Sequence, residues 1–135
     1  MRKTSVIFML LIVVFMAVSC TNTQITNLEG TWATELELIS EQHGWIESSY
    51  PEGFSFTEQK GHIFKGYKIY TNRLDKKEYK EMFSGSISQS GHIVIAEHED
   101  GILIGHLEDN NTITLQYAEN GELPKAVYYT LKRNK

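Results

Sequence analysis

The chain predicts an all-β fold, an eight-stranded antiparallel up-and-down β-barrel. Three observations predict it. From Leu28 onward, short runs rich in β-branched and aromatic residues follow one another. The breaks between them share one form, two polar residues and then glycine: Gln59-Lys60-Gly61, Gln89-Ser90-Gly91, Glu99-Asp100-Gly101 and Glu119-Asn120-Gly121. The registers these turns impose gather the large apolar side chains on one face.

Strands are expected near 31–39, 54–58, 62–71, 77–88, 92–98, 102–108, 112–118 and 123–133. A three-residue hairpin loop is commonly a type I turn followed by a left-handed residue, which glycine supplies without strain. Asp109-Asn110-Asn111 fits the same slot, because asparagine tolerates that geometry. The turns pair Phe56 with Phe64, Phe54 with Gly66, Ile87 with Ile93 and Gly85 with Ile95. They also pair Ile95 with Gly105, Ile93 with Leu107, Leu107 with Ile113, Leu103 with Tyr117 and Ile113 with Val127. One face then collects Phe54, Phe56, Phe64, Phe83, Ile87, Ile93, Ile95, Leu103, Leu107, Ile113, Leu115, Val127, Tyr129 and Leu131. Closure removes exposed edges; a two-sheet sandwich is the alternative. The 41–53 connection has room for one turn of helix and nothing more.

Ahead of this domain the chain opens Met1-Arg2-Lys3, continues through the apolar run Val6 to Val18, and breaks at Ala17-Val18-Ser19-Cys20. A positive start, a short apolar stretch and small residues at the break mark a signal peptide. The run is shorter than the roughly 20 residues of a membrane span. The cysteine at the break, the only one in the chain, resembles a bacterial lipobox. That resemblance implies cleavage before Cys20 and lipidation of its thiol. The expected organisation is a signal peptide over 1–19, the lipidated cysteine and a polar tether over 20–27, and a barrel over 28–135. The resemblance also implies an extracytoplasmic protein held in the cell membrane by acyl chains. In a Gram-negative host, Thr21 in place of a retaining aspartate implies the outer membrane.

The leader removes Arg2 and Lys3 and no acidic residue, so the net charge falls from −4 to −6 in the mature chain. An acidic surface excludes nucleic acid as an expected partner. Without a second cysteine, stability rests on packing and backbone pairing.

At the first strand the sequence reads Gly30-Thr31-Trp32, and the later hairpin reads Gly61-His-Ile-Phe-Lys-Gly66-Tyr67. These resemble lipocalins and avidins, the calycin group of small barrels. The resemblance implies that Trp32 closes the barrel floor and that Arg133, inward on the last strand, packs over it. The chain departs from avidins in carrying no tryptophan after Trp45 and Lys68 at the position resembling a tyrosine ligand, so biotin is not expected.

Sorted by height, the floor receives Trp32, Phe64, Ile87, Ile93, Leu107, Ile113 and Arg133. The upper end receives Leu38, Phe54, Lys68, Tyr70, Tyr79, Glu81, Glu97, Leu103, Tyr117 and Lys125, with Trp45 and Tyr50 on the 41–53 connection as a lid. An apolar cup with a few convergent polar groups is the layout of a ligand site. The candidate ligand-binding residues are Trp45, Tyr50, Lys68, Tyr70, Tyr79, Glu81, Glu97 and Tyr117, and the ligand a small amphipathic molecule. No metal or cofactor is expected: His92, His98 and His106 fall on the outer face, and no zinc or calcium spacing occurs. With no nucleophile elbow or phosphate loop, the expected function is non-enzymatic. The alternative is a protein-interaction or inhibitor module with a solid core, docking an envelope protein through the 41–53 connection, with Trp45 and Tyr50, or through the outer strand surface. A third reading uses Glu81 and Glu97 as a catalytic carboxylate pair.

Overall fold

The computed structural model describes residues 24–41, 44–47, 53–72, 75–98, 101–119 and 124–135. The expected signal segment, Cys20 and Tyr50 lie outside the described residues, as does the side chain of Trp45. The described residues form nine strands: β1 (Gly30–Glu41), β2 (Gly44–Glu47), β3 (Gly53–Lys60), β4 (Ile63–Thr71), β5 (Glu78–Ile87), β6 (His92–Glu97), β7 (Ile102–Asp109), β8 (Thr112–Glu119) and β9 (Lys125–Arg133). All pairings are antiparallel. The order is β2-β1-β3-β4-β5-β6-β7-β8-β9, and β1 also pairs with β9. Strand β1 with β3–β9 is therefore the closed meander of eight strands. The ninth, β2, lies where one helical turn was expected; Gly44 at φ 122° supplies the left-handed residue that folds it back onto β1.

Strand β1 performs the closure. Along one edge it pairs with β9 from Trp32 to Ser40. Along the other it pairs with β3 from Gly30 to Ala33 and with β2 from Leu38 to Glu41. A bulge between Thr34 and Leu36 adds one residue, which reverses the in–out alternation beyond it. Trp32 is inward and fully buried; past the bulge Ile39 is buried and Leu38 is 41% exposed. Leu38 is thus not part of the upper lumen as expected.

Three registers also differ from expectation, each by an even number of residues, so each strand keeps its inward face. Phe56 pairs with Gly66 and Phe54 with Lys68, because β3 and β4 join through Gly61-His62 and a bulge follows Phe56. Ile93 pairs with Gly105 and Ile95 with Leu103. There the β6 chain stays on β5 beyond the hairpin: the His98 amide donates to the Met82 carbonyl. Ile113 pairs with Leu131 and Tyr117 with Val127. Pro124 has no N–H to give a ladder, and pairing starts at Lys125. The pairs Ile87–Ile93, Gly85–Ile95, Leu107–Ile113 and Leu103–Tyr117 stand as expected.

The interior is filled by side chains. Phe56 makes edge contacts with Trp32, Phe64 and Phe83 at 6.0, 5.2 and 5.3 Å between ring centroids. Phe54 packs on Phe83 and Tyr129. Ile87, Ile93, Ile95, Leu103, Ile113, Leu115, Val127 and Leu131 complete the core. At the floor the Arg133 guanidinium lies 4.4 Å from the centre of the Trp32 ring, as the register and the resemblance implied. Arg133 donates to the carbonyls of Asn27, Glu29 and Asn110, and Trp32 Nε1 donates to the Leu28 carbonyl. The segment entering β1 is thus clamped beneath the barrel.

Gly105 sets how closely β7 and β8 approach. A Cβ there would meet the Thr114 carbonyl oxygen at 1.9 Å and the Leu115 side chain at 2.8 Å. Gly105→Ala is expected to cost about 3 kcal/mol through overpacking, read by urea unfolding. A loss below about 1 kcal/mol, the range of tolerated core swaps, would contradict this packing.

Candidate functional site

The site is the barrel end opposite Trp32. Pairing brings its charged residues together: Lys68 faces Glu81 across β4 and β5, and Phe83, two residues on, faces Glu97 across β5 and β6. These residues share the inward face with Phe54 and Leu103, so the charges enter the lumen. Lys68 is 8% exposed. Its ammonium donates to Glu97 Oε1 at 2.6 Å and lies 3.7 Å from Glu81 Oε2. The Glu81 side chain is nearly as buried as that of the lysine, and the Glu97 side chain is more so. Burial raises the Glu97 pKa above its ordinary 4.5; Lys68 opposes that rise, as does Lys125 more weakly, and Glu81 adds to it. Desolvation prevails because Glu97 is the more enclosed of the two acids.

Two tyrosines stand over this cluster. Tyr70 faces Tyr79 across β4 and β5, and their rings stack at 5.8 Å and 21°. The Lys68 ammonium lies 5.4 Å from the Tyr70 ring centre. Tyr79 is 40% exposed. Its hydroxyl donates to Asp75, which lowers the Asp75 pKa and raises that of Tyr79. Asp75 follows the strand end closed by the Asn72–Lys77 backbone bond.

The remaining candidate residue with a described side chain is Tyr117, half-buried against the core, with its ring lying over Gly101. A Cβ at Gly101 would overlap that ring. Inside the lumen Thr34, in register with the core residue Leu131, holds a buried Oγ1 that makes no hydrogen bond among the described residues.

The structure therefore joins Lys68, Glu81, Glu97, Tyr70 and Tyr79 in one cluster, with Tyr117 farther around the rim. Trp45 lies on β2, next to β1, with its backbone opposite Ser40. Asp75 and Thr34 were not among the sequence candidates. Asp75 sits in a polar turn, where an acid is ordinary; Thr34 is inward by plain alternation, but an orphan hydroxyl has no sequence signature.

The cluster has two acids to one enclosed lysine, with an aromatic face above. It can hold a polar or charged head by hydrogen bonds while an apolar portion lies against tyrosine rings. Among the described residues no three His, Cys, Asp or Glu side chains converge as a metal-binding set. A shallow groove of about 260 Å³ lies elsewhere, on the outer wall where β1 and β3 part, lined by Ala33, Gly53, Ser55, Tyr67, Ile69 and Asn134 among others. No charged side chain lines it, so it offers a ligand no ionic anchor.

No protein-family model matches the chain, and no curated protein matches it. Among solved structures it is similar to a redesigned beta barrel, at a TM-score of 0.55 and 12% identity over 80% of this chain and 92% of that one. That likeness concerns the fold alone.

Lys68 contacts both enclosed acids, so Lys68→Met is expected to cost about 3–5 kcal/mol at neutral pH by leaving buried charge uncompensated. The loss should shrink in acid, where Glu97 takes up a proton. Glu97 gives a separate signature. Its folded pKa is raised, so the folded chain binds the proton more tightly than the unfolded one. Its contribution is fully present below the ordinary 4.5 and is lost as pH rises through the higher folded value. Unfolding free energies measured against pH should show that falling component in wild type and not in Glu97→Gln. Identical slopes would refute the assignment.

Proposed function

We propose that the chain is an extracytoplasmic, lipid-anchored, non-enzymatic barrel that binds a small amphipathic ligand at its open end. The observation that carries this reading is the enclosed Lys68–Glu97–Glu81 cluster beneath the Tyr70–Tyr79 stack, at one end of an otherwise apolar barrel. Because aromatic side chains fill the lower lumen, the ligand sits at the rim. Its polar head meets the charges and its apolar part lies on the tyrosines. The anchor is Cys20, and the lipobox resemblance supplies that part of the reading. The calycin resemblance agrees with a ligand at the mouth of a small barrel.

A solid-core interaction module is the second reading, and one observation favours it: the Phe54, Phe56, Phe64 and Phe83 rings leave the middle of the barrel closed. In that reading the rim docks an envelope protein. Catalysis by Glu81 and Glu97 is disfavoured, because both acids are already engaged by the Lys68 ammonium.

Native mass spectrometry and thermal shift against single-chain amphiphiles with acidic, zwitterionic and amine heads test the choice. Binding weakened about tenfold or more by Tyr79→Ala, with little change in melting temperature, supports the rim site; tenfold corresponds to about 1.4 kcal/mol. No binder in any head-group class leaves the interaction module as the reading. In cells, Cys20→Ser is expected to move the protein from the membrane to the soluble fraction; membrane retention would contradict the anchor.

A further inference from the structure

The outer wall of the barrel is not uniform. Five of its exposed large apolar side chains, Ile63, Met82, Val94, Ile102 and Ile104, fall on the neighbouring strands β4–β7. Pairing brings four of them into two adjacent rows, with Met82 one row farther on, opposite Tyr67. Ile63, Ser86, Val94 and Ile104 form one lateral row, with Ala96 and Ile102 directly opposite each other in the row beside it. The isoleucines are more than half exposed, at 58–59%. Small residues, Ser84, Ser86 and Ala96, lie between them and keep the surface flat. Scattered surface apolar residues are ordinary, whereas a contiguous set marks a contact surface.

Charge on this wall is sparse. The outward positions from Ile63 to Tyr67, Lys80 to Ser86, His92 to Ala96 and Ile102 to His106 contain two formal charges, Lys65 and Lys80, and no acid. Lys65 is paired with Glu58 from β3, and Lys80 lies 3.7 Å over the Tyr67 ring.

The third observation is where the chain enters the barrel. Residues 26–29 run beside the β3–β4 turn: the Gln59 side chain donates to the carbonyls of Thr26 and Gly61 and accepts from the Leu28 amide. Ile63, at the edge of the apolar wall, directly follows that turn. From Gln24, where the described chain begins, Cys20 is four residues away. Even fully extended, four residues reach only about 14 Å.

We propose that the β4–β7 wall is the surface that rests on the bilayer, so that the barrel lies on its side on the membrane that holds its anchor. This rests on lipidation at Cys20. The acyl chains keep the domain at the membrane, the short tether enters at the corner of the apolar wall, and the wall offers isoleucines to the headgroup boundary with lysines at its margin. The open end then faces along the membrane plane, beside the lipid rather than away from it.

Single introduced cysteines test this, because an acylated Cys20 takes up no label. The full lipidated protein, in vesicles of phosphatidylethanolamine and phosphatidylglycerol, is labelled at Val94→Cys or Ile104→Cys on the wall, or at Ala33→Cys or Ala126→Cys elsewhere on the barrel. Nitroxide-labelled lipids are expected to quench the two wall positions about threefold or more over the others, consistent with an apolar face sunk about 5–10 Å. A second variant, Ser86→Asp, keeps the core and should abolish the contrast while circular dichroism stays unchanged. Equal quenching at all four positions on acylated protein overturns the docking face alone. Wall labels that contact each other at many copies per vesicle but lose protection at one copy assign the wall to a second copy and overturn it too. A Cys20 thiol still free to label overturns the anchor and the docking face together.

Discussion

The structure depends on one shared strand. An antiparallel meander becomes a barrel only when its first strand satisfies hydrogen-bonding partners on both edges, and β1 does so by dividing its length. Its first half serves β3, its second half serves β2, and its other edge is given to β9. The bulge at Glu35 lets so long a strand bend around the barrel. Without the β1–β9 ladder, two strand edges would be open, and Trp32 would lose the arginine above it. The floor clamp follows from the same closure. Arg133 can reach Asn27 and Glu29 only because β9 ends beside the start of β1.

The two ends of the lumen solve opposite problems. At the floor, one cation is enclosed by an aromatic ring and three carbonyl oxygens, and its burial lowers the Arg133 pKa without uncharging it. At the mouth, three ionisable groups are enclosed together. A buried ion pair is a poor stabiliser, since apolar side chains of the same volume usually serve at least as well. Packing alone therefore does not account for Lys68, Glu81 and Glu97 at one level of the barrel. The cluster instead gives the mouth a fixed, pre-oriented set of charges, held in place by the phenylalanines beneath it and the tyrosines above.

The wall and the mouth are also linked through β4 and β5. The inward side chains of these strands build the charged cluster, while their outward ones contribute Ile63 and Met82 to the apolar wall. On the proposed anchoring, the same two strands bring a polar site and a lipid-compatible surface together, which suits a ligand that itself has a polar head and an apolar body.

Much of this was legible in the sequence because side chains in a strand alternate with a period of two. Parity alone assigned Lys68, Glu81 and Glu97 to the lumen, and it survived registers that were wrong by two or four residues. It also turned Arg133 inward, and the calycin resemblance implied its packing over Trp32. What parity could not supply was anything that changes the count. The Glu35 bulge turned Leu38 outward, connections longer than the expected three residues moved Ile93 and Ile113 to other partners, and a turn at Gly44 added a strand. The outer apolar wall was within reach, since Ile93-Val94-Ile95 and Ile102-Leu103-Ile104 are unbroken apolar runs rather than alternating ones, a sign of strands apolar on both faces. Seeing that Ile63, Val94 and Ile104 share one row required the lateral registers. Local chemistry along the chain sets which way each side chain points; which side chains become neighbours is set by loop lengths and closure, and those are decided only when all the strands pair at once.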